Sequence, residues 1–160
     1  MKVLTSWLLS RARRKPCNTV VLHATDGASA ASSIDWLRQI WLSYHYLIER
    51  DGTITKCVPY TRVAYHAGKS VGPEGKNVND YSVGIAFANF QSKGELLTER
   101  QIDAAYFLTR ELKLAVPTLQ YVTTHYAISP GRKTDPSMLP KRHLAQIARN
   151  NNLRVWGVEL

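Results

Sequence analysis

The chain predicts a mixed α/β domain, a central mixed β-sheet flanked by helices. Three observations carry that expectation. Thr19-Val20-Val21-Leu22-His23 is apolar and β-branched, the composition of a buried central strand. Asp51-Gly52 sits between two alternating runs, a strong hairpin turn signal. Helical periodicity appears after Thr98 and again after Pro140, so strands and helices mix without strict alternation.

Taken in order, a small-residue loop from Gly27 to Ala31 follows the first strand. Ser32 or Ser33 can then cap a helix that carries Ile34, Leu37 and Trp41 on one face. The hairpin pairs Tyr44–Arg50 with Thr53–Val58. Alternation sets Tyr44, Tyr46 and Ile48 on one face and His45, Leu47 and Glu49 on the other, so Tyr44 and His45 are expected to point apart. Residues 59–80 are irregular and polar and contain Tyr65-His66-Ala67-Gly68. The next strand, Tyr81–Asn89, has a bulky face and a small one, Ser82, Gly84, Ala86 and Ala88. A small face lets a ligand or another backbone approach closely. Thr98 and Gln101 form a capping box for a helix lined by Ile102, Ala105, Tyr106, Thr109 and Leu112. Leu119–Thr123 reads as a strand leading to His125, and Pro140 starts a last helix bearing Leu144, Ile147 and Ala148.

At 160 residues the chain is long enough for one domain with its own core, assigned to residues 18–160, with residues 1–17 as a basic arm or short helix. That arm places Arg11, Arg13, Arg14 and Lys15 after its apolar stretch, the reverse of a secretion signal. Synthesis in the cytoplasm is therefore expected. No apolar run approaches the roughly 20 residues of a membrane span. Cys17 and Cys57 do not form a metal cluster and read as reduced thiols. Lys and Arg number 21 against 12 Asp and Glu, a net charge of +9 that favours an anionic partner. No nucleic-acid motif accompanies the charge, so nucleic acid is not the expected partner, and a monomer is.

The chemistry concentrates in Thr124–Pro136, a stretch bounded by Pro and Gly and too poor in apolar periodicity for a core element. It reads as a long ordered loop, the kind that carries function. His125 and Asp135 lie within reach of one metal if the loop turns back, and His23 ends the first strand. Two histidines and one carboxylate are a common way to hold zinc with one position open.

Five blocks also resemble, in order, the type 2 N-acetylmuramoyl-L-alanine amidases. They are Val20–His23; Tyr44–Ile48 with Arg50-Asp51-Gly52; Tyr65–Gly68; Tyr81–Ile85 with Asn89; and His125 with Gly131–Pro136. The resemblance implies a Zn2+ hydrolase cutting the amide between N-acetylmuramic acid and L-alanine in peptidoglycan, with His23, His125 and Asp135 as ligands. It implies Lys133 as the oxyanion-stabilising residue and Tyr44 as the residue that orients water or assists proton transfer. His66 matches a substrate-lining position. Arg132 can pair with substrate or brace the loop, and Thr25 and Asn89 are candidates for hydrogen bonds to substrate. Some members place a glutamate base where this chain has Ala86. That departure and Tyr44 lean toward a phage endolysin that acts on the bacterial wall. A cytoplasmic enzyme of muropeptide recycling and a peptidoglycan-binding module that does not cut are the alternatives. Anionic envelope polymers suit the charge.

Overall fold

A computed structural model describes all residues, Met1–Leu160. The elements in chain order are β1 (Val3–Thr5), β2 (Arg11–Ala12), β3 (Thr19–Ala24), α1 (Ala30–Gln39), β4 (Tyr46–Ile48), β5 (Ile54–Lys56), β6 (Arg62–Val63), β7 (Val71–Gly72) and β8 (Gly75–Lys76). They continue with β9 (Ser82–Phe87), α2 (Glu99–Ala115), β10 (Tyr121–Thr124), α3 (His125–Ile128), α4 (Lys141–Asn150) and β11 (Arg154–Val155). Seven strands form one mixed sheet in the order β1-β5-β4-β9-β3-β10-β11. β3 lies between β9 and β10 and is parallel to both, while β4 and β5 form the antiparallel hairpin.

All six residues of β3 are buried, which is why its sequence reads as a continuous apolar run rather than an alternation. One face of the sheet presents Val20, Leu22, Tyr46, Ile48, Val83, Ile85 and Phe87 to α2 and α4, which contribute Ile102, Leu108, Leu112, Leu144 and Ile147. Each fully buried Leu or Ile there contributes roughly 1.5–3 kcal/mol. The other face is shared between α1, through Ala30, Ile34 and Leu37, and a polar region around His23. α2 is capped by Thr98 and Gln101 as expected. In α1 the cap is Ser29, not Ser32 or Ser33: Ser29 Oγ accepts from the Ser32 amide, and Ser32 Oγ accepts from that of Ser29. Trp41 falls beyond the helix in a left-handed conformation (φ 59°) and is exposed, so it does not share the buried face.

Two other expectations change. Residues 1–17 carry strands, not a helix: β1 pairs parallel with β5 at the sheet edge, and β2 pairs with β6. Arg13 ties this segment down by donating to the carbonyls of Tyr60 (3.1 Å), Asp80 (3.0 Å), Arg62 (2.8 Å) and Ser82 (2.8 Å). Tyr44 and His45 do not point apart in the simple sense, because the strand begins only at Tyr46 and alternation does not reach back to them. The Tyr44 ring lies 4.9 Å from His23, and the buried His45 ring lies 5.6 Å from His66. Cys17 and Cys57 are both buried and unpaired, and burial pushes the Cys57 thiol up to about 12.

Candidate active site

β3 and β10 are adjacent parallel strands, and their carboxyl ends meet at one crevice, the usual place for a site in such sheets. His23 is the fifth residue of β3, and His125 immediately follows β10. Thr124 caps the single turn of α3, its Oγ accepting from the Ala127 amide at 3.4 Å. The chain then reverses: the Lys133 amide donates to Ser129 O (3.0 Å) and the Tyr126 amide to Asp135 O (3.0 Å). That closure brings the Asp135 side chain back onto His125.

The donor atoms of His23, His125 and Asp135 all lie within 4.8 Å of one another, and the three residues are 0%, 3% and 7% exposed. His125 Nδ1 is 3.1 Å from the Asp135 carboxylate, and His23 Nδ1 is 3.5 Å from it. The Ala24 amide donates to Asp135 Oδ2 at 3.3 Å. The other nitrogen of His125, Nε2, faces Ala67 O at 3.3 Å. A carbonyl only accepts, so Nε2 carries the proton and Nδ1 presents a bare lone pair to the carboxylate. His23 Nδ1 is buried without a hydrogen-bond partner. Buried acceptors facing one another are unstable unless a cation joins them, and nitrogen, nitrogen and carboxylate oxygen are donors that zinc takes. The residues therefore fit a zinc ion.

Burial and the neighbouring His125 push His23 down to about 4, against a smaller opposing pull from Asp135. Burial pushes the Asp135 carboxyl up, but when the facing imidazoles carry a proton on Nδ1 their hydrogen bonds and charge outweigh it and hold it well below the usual carboxylate range. Tyr44 is pushed above the ordinary phenol range by burial and by Asp135, so its hydroxyl stays protonated near neutrality.

Beside this cluster opens a cleft of about 530 Å³. Of the residues singled out in the sequence, Thr25, Tyr44, His125, Arg132, Lys133 and Asp135 line it. Lys133 is exposed, and no carboxylate pairs with it. Arg132 braces the loop, its Nη2 donating to Ala67 O (2.7 Å), Ser129 Oγ (2.8 Å) and Lys69 O (3.0 Å). Gly68 makes room for it: with φ 58°, a Cβ there would lie 3.2 Å from Arg132 Nη2. Two expected substrate contacts sit elsewhere. His66 is buried behind His23, with Nδ1 2.9 Å from His23 Nε2, and does not line the cleft. Asn89 is 1% exposed and donates to Glu95 O (2.6 Å), turned inward at the end of β9. Asp26, Trp36, Ile40, Leu42 and Gln91 line the cleft without having been singled out. For Trp36 the signal was available: it lies on the polar face of an otherwise regular amphipathic helix, with 59% of its surface exposed. Ala86, buried opposite His23 in the β3–β9 pairing, supplies no carboxylate.

Residues 13–138 match the family model described as N-acetylmuramoyl-L-alanine amidase. The 1,6-anhydro-N-acetylmuramyl-L-alanine amidase AmpD of Salmonella typhimurium is 36% identical over 96 residues, 59% of this chain and 50% of that protein. The chain spans about half the length of the curated relatives it matches. The E. coli amidase AmiD, solved with anhydro-N-acetylmuramic acid-L-Ala-D-gamma-Glu-L-Lys, superposes with a TM-score of 0.73 at 28% identity, covering 86% of this chain and 59% of that one. The Ph2119 endolysin of a Thermus scotoductus bacteriophage shares the fold, with a TM-score of 0.70 at 22% identity and coverage of 96% and 100%. With a family match that runs from Arg13 through the proposed metal loop, the chain belongs to the type 2 N-acetylmuramoyl-L-alanine amidase family.

Proposed function

We propose that this protein is a zinc-dependent amidase that hydrolyses the bond between the lactyl group of N-acetylmuramic acid and L-alanine. The observation that carries the reading is the convergence of His23 Nδ1, His125 Nδ1 and the Asp135 carboxylate beside an open cleft holding an unpaired Lys133. Zinc held by these residues supplies Lewis acidity to a carbonyl and lowers the pKa of a water molecule. The chain's own groups do the rest. Lys133 faces the oxygen on which negative charge develops. The Tyr44 hydroxyl, held protonated beside His23, orients the attacking water by hydrogen bonding. Arg132 keeps the loop bearing Lys133 against the Ala67–Lys69 segment. The absence of a carboxylate at Ala86 leaves Tyr44 as the proton-handling side chain.

The substrate favoured is a 1,6-anhydro-muropeptide, the molecule named for AmpD and seen with AmiD. This is the small soluble substrate of a muropeptide-recycling enzyme. A phage endolysin acting on intact wall is the second reading, supported by Ala86, by Tyr44 and by the +9 charge, which attracts anionic envelope polymers. No helix is long and apolar enough to cross a membrane. A module that binds peptidoglycan without cutting it does not need the complete ligand set. The test compares release of peptides with free L-alanine N-termini from purified anhydro-muropeptides and from intact sacculi. Faster turnover of the soluble substrate is expected. Release from sacculi alone would favour the endolysin, and binding without release from either would overturn the amidase reading.

A further inference from the structure

The geometry points to His66 as a positioning residue that fixes the tautomer of His23, with Ser82 setting the tautomer of His66 in turn. The inference rests on the ligand set proposed above. It follows from counting protons along one chain of contacts. Ser82 Oγ is 2.7 Å from Val78 O, and a carbonyl has no proton to give, so the single hydroxyl proton of Ser82 lies between them. Ser82 Oγ is then left as the acceptor for His66 Nε2, 3.1 Å away, and Nε2 carries a proton. A neutral imidazole with a proton on Nε2 has a bare Nδ1. His66 Nδ1 lies 2.9 Å from His23 Nε2, so the proton between them belongs to His23 Nε2. His23 is thereby left with its lone pair on Nδ1, the atom that faces Asp135 and has no other partner. A doubly protonated His66 would reverse the last bond, but it would bury a cation with no acidic partner among its contacts.

Independent features hold His66 in this seat. The His66 and Ala67 amides both donate to Asn79 Oδ1, at 3.1 and 2.8 Å. The ring packs on Gly84, where a Cβ would lie 2.6 Å from His66 Cγ and 2.7 Å from Nδ1. What the small face of β9 admits is therefore the His66 ring. Outer partners that orient a ligating histidine typically matter 10–100-fold in metal affinity.

The test uses the purified full chain in two measurements. Long-range 1H–15N spectra of the metal-free protein report which nitrogen of His23 is protonated, and titration with zinc alone against a chelating dye gives its affinity. Wild type is expected to show His23 protonated at Nε2. His66→Phe keeps the ring volume but removes the acceptor, so Nδ1-protonated His23 appears and zinc binding weakens about 10–100-fold. His66→Asn, which keeps an acceptor near the position of Nδ1, restores part of that loss. Should His66→Phe fail to fold, Ser82→Ala reads the same relay and is expected to shift both measurements in the same direction by less. Unchanged His23 protonation in these variants would overturn the inference. So would weaker zinc binding with His23 still protonated at Nε2, because that pattern belongs to packing alone. Wild-type protein that bound no zinc would overturn the ligand set, and the metal-free spectra would still decide the tautomer separately.

Discussion

At the residue scale, the roles proposed for Lys133 and Tyr44 separate catalysis from metal binding. Neither contributes a donor atom to the proposed zinc site, yet both face its cleft. Lys133→Ala is expected to lower kcat on an anhydro-muropeptide by roughly 10²–10³, the cost of one oxyanion donor. Zinc affinity, read by dye competition, should stay within about twofold of wild type. Tyr44→Phe keeps the ring against His23 and removes only the hydroxyl. A fall in kcat of about 10² or more is expected, the lower end for a proton-handling group. Activity within a few-fold of wild type would return that role to solvent. The three residues proposed to hold zinc stood out in the sequence because residue type narrows the candidates so far: two histidines and an aspartate, each at an element end or in a loop rich in Gly and Pro. The placement of His66 and Asn89 was not legible. Both stand near the matched motifs, but whether a side chain faces the cleft or the interior depends on what packs behind it, and here those are His23 and Glu95.

At the element scale, β9 shows how a strand can serve packing and site together. Its large residues enter the core under α2, while Gly84 on the small face lies under the His66 ring. Gly84→Ala is expected to cost about 1–3 kcal/mol by overpacking, read as a lower urea midpoint. It should also weaken zinc binding, because the ring it displaces contacts His23. Thr98→Ala, by contrast, removes the α2 cap at a residue that does not line the cleft and should cost about 1 kcal/mol with catalysis unchanged. The helices and central strands were legible because period and capping chemistry are local. The N-terminal strands were not: β1 and β2 exist only through pairing with β5 and β6, and Arg13 is held by carbonyls 47 to 69 residues distant in sequence. The Tyr44–His45 orientation was missed for a related reason, since the alternation rule applies only where the strand has begun.

For the whole molecule, buried neutral histidines tie stability to pH. His45 is fully buried and held at about 3 in the fold, chiefly by burial, against 6.5 for the free side chain. As pH falls below about 6.5 the unfolded chain binds this proton and the folded chain does not, so stability present above that pH is lost between it and about 3. One such group gives a slope approaching 1.4 kcal/mol per pH unit, on the order of the linkage limit. Urea midpoints measured from pH 8 to pH 4 should therefore fall. The fall should be shallower in His45→Asn, which keeps an acceptor for the Gly84 amide. Equal slopes in the two proteins would contradict the assignment. The fold and the cleft both serve one claim, that His23, His125 and Asp135 hold zinc for amide hydrolysis. Mass spectrometry of 1,6-anhydro-N-acetylmuramyl-L-alanyl peptide, incubated with protein carrying one equivalent of zinc, tests that claim most directly. Free peptide beginning with L-alanine is expected, lost in Asp135→Asn and on chelation; intact substrate beside fully zinc-loaded wild-type protein would overturn the claim.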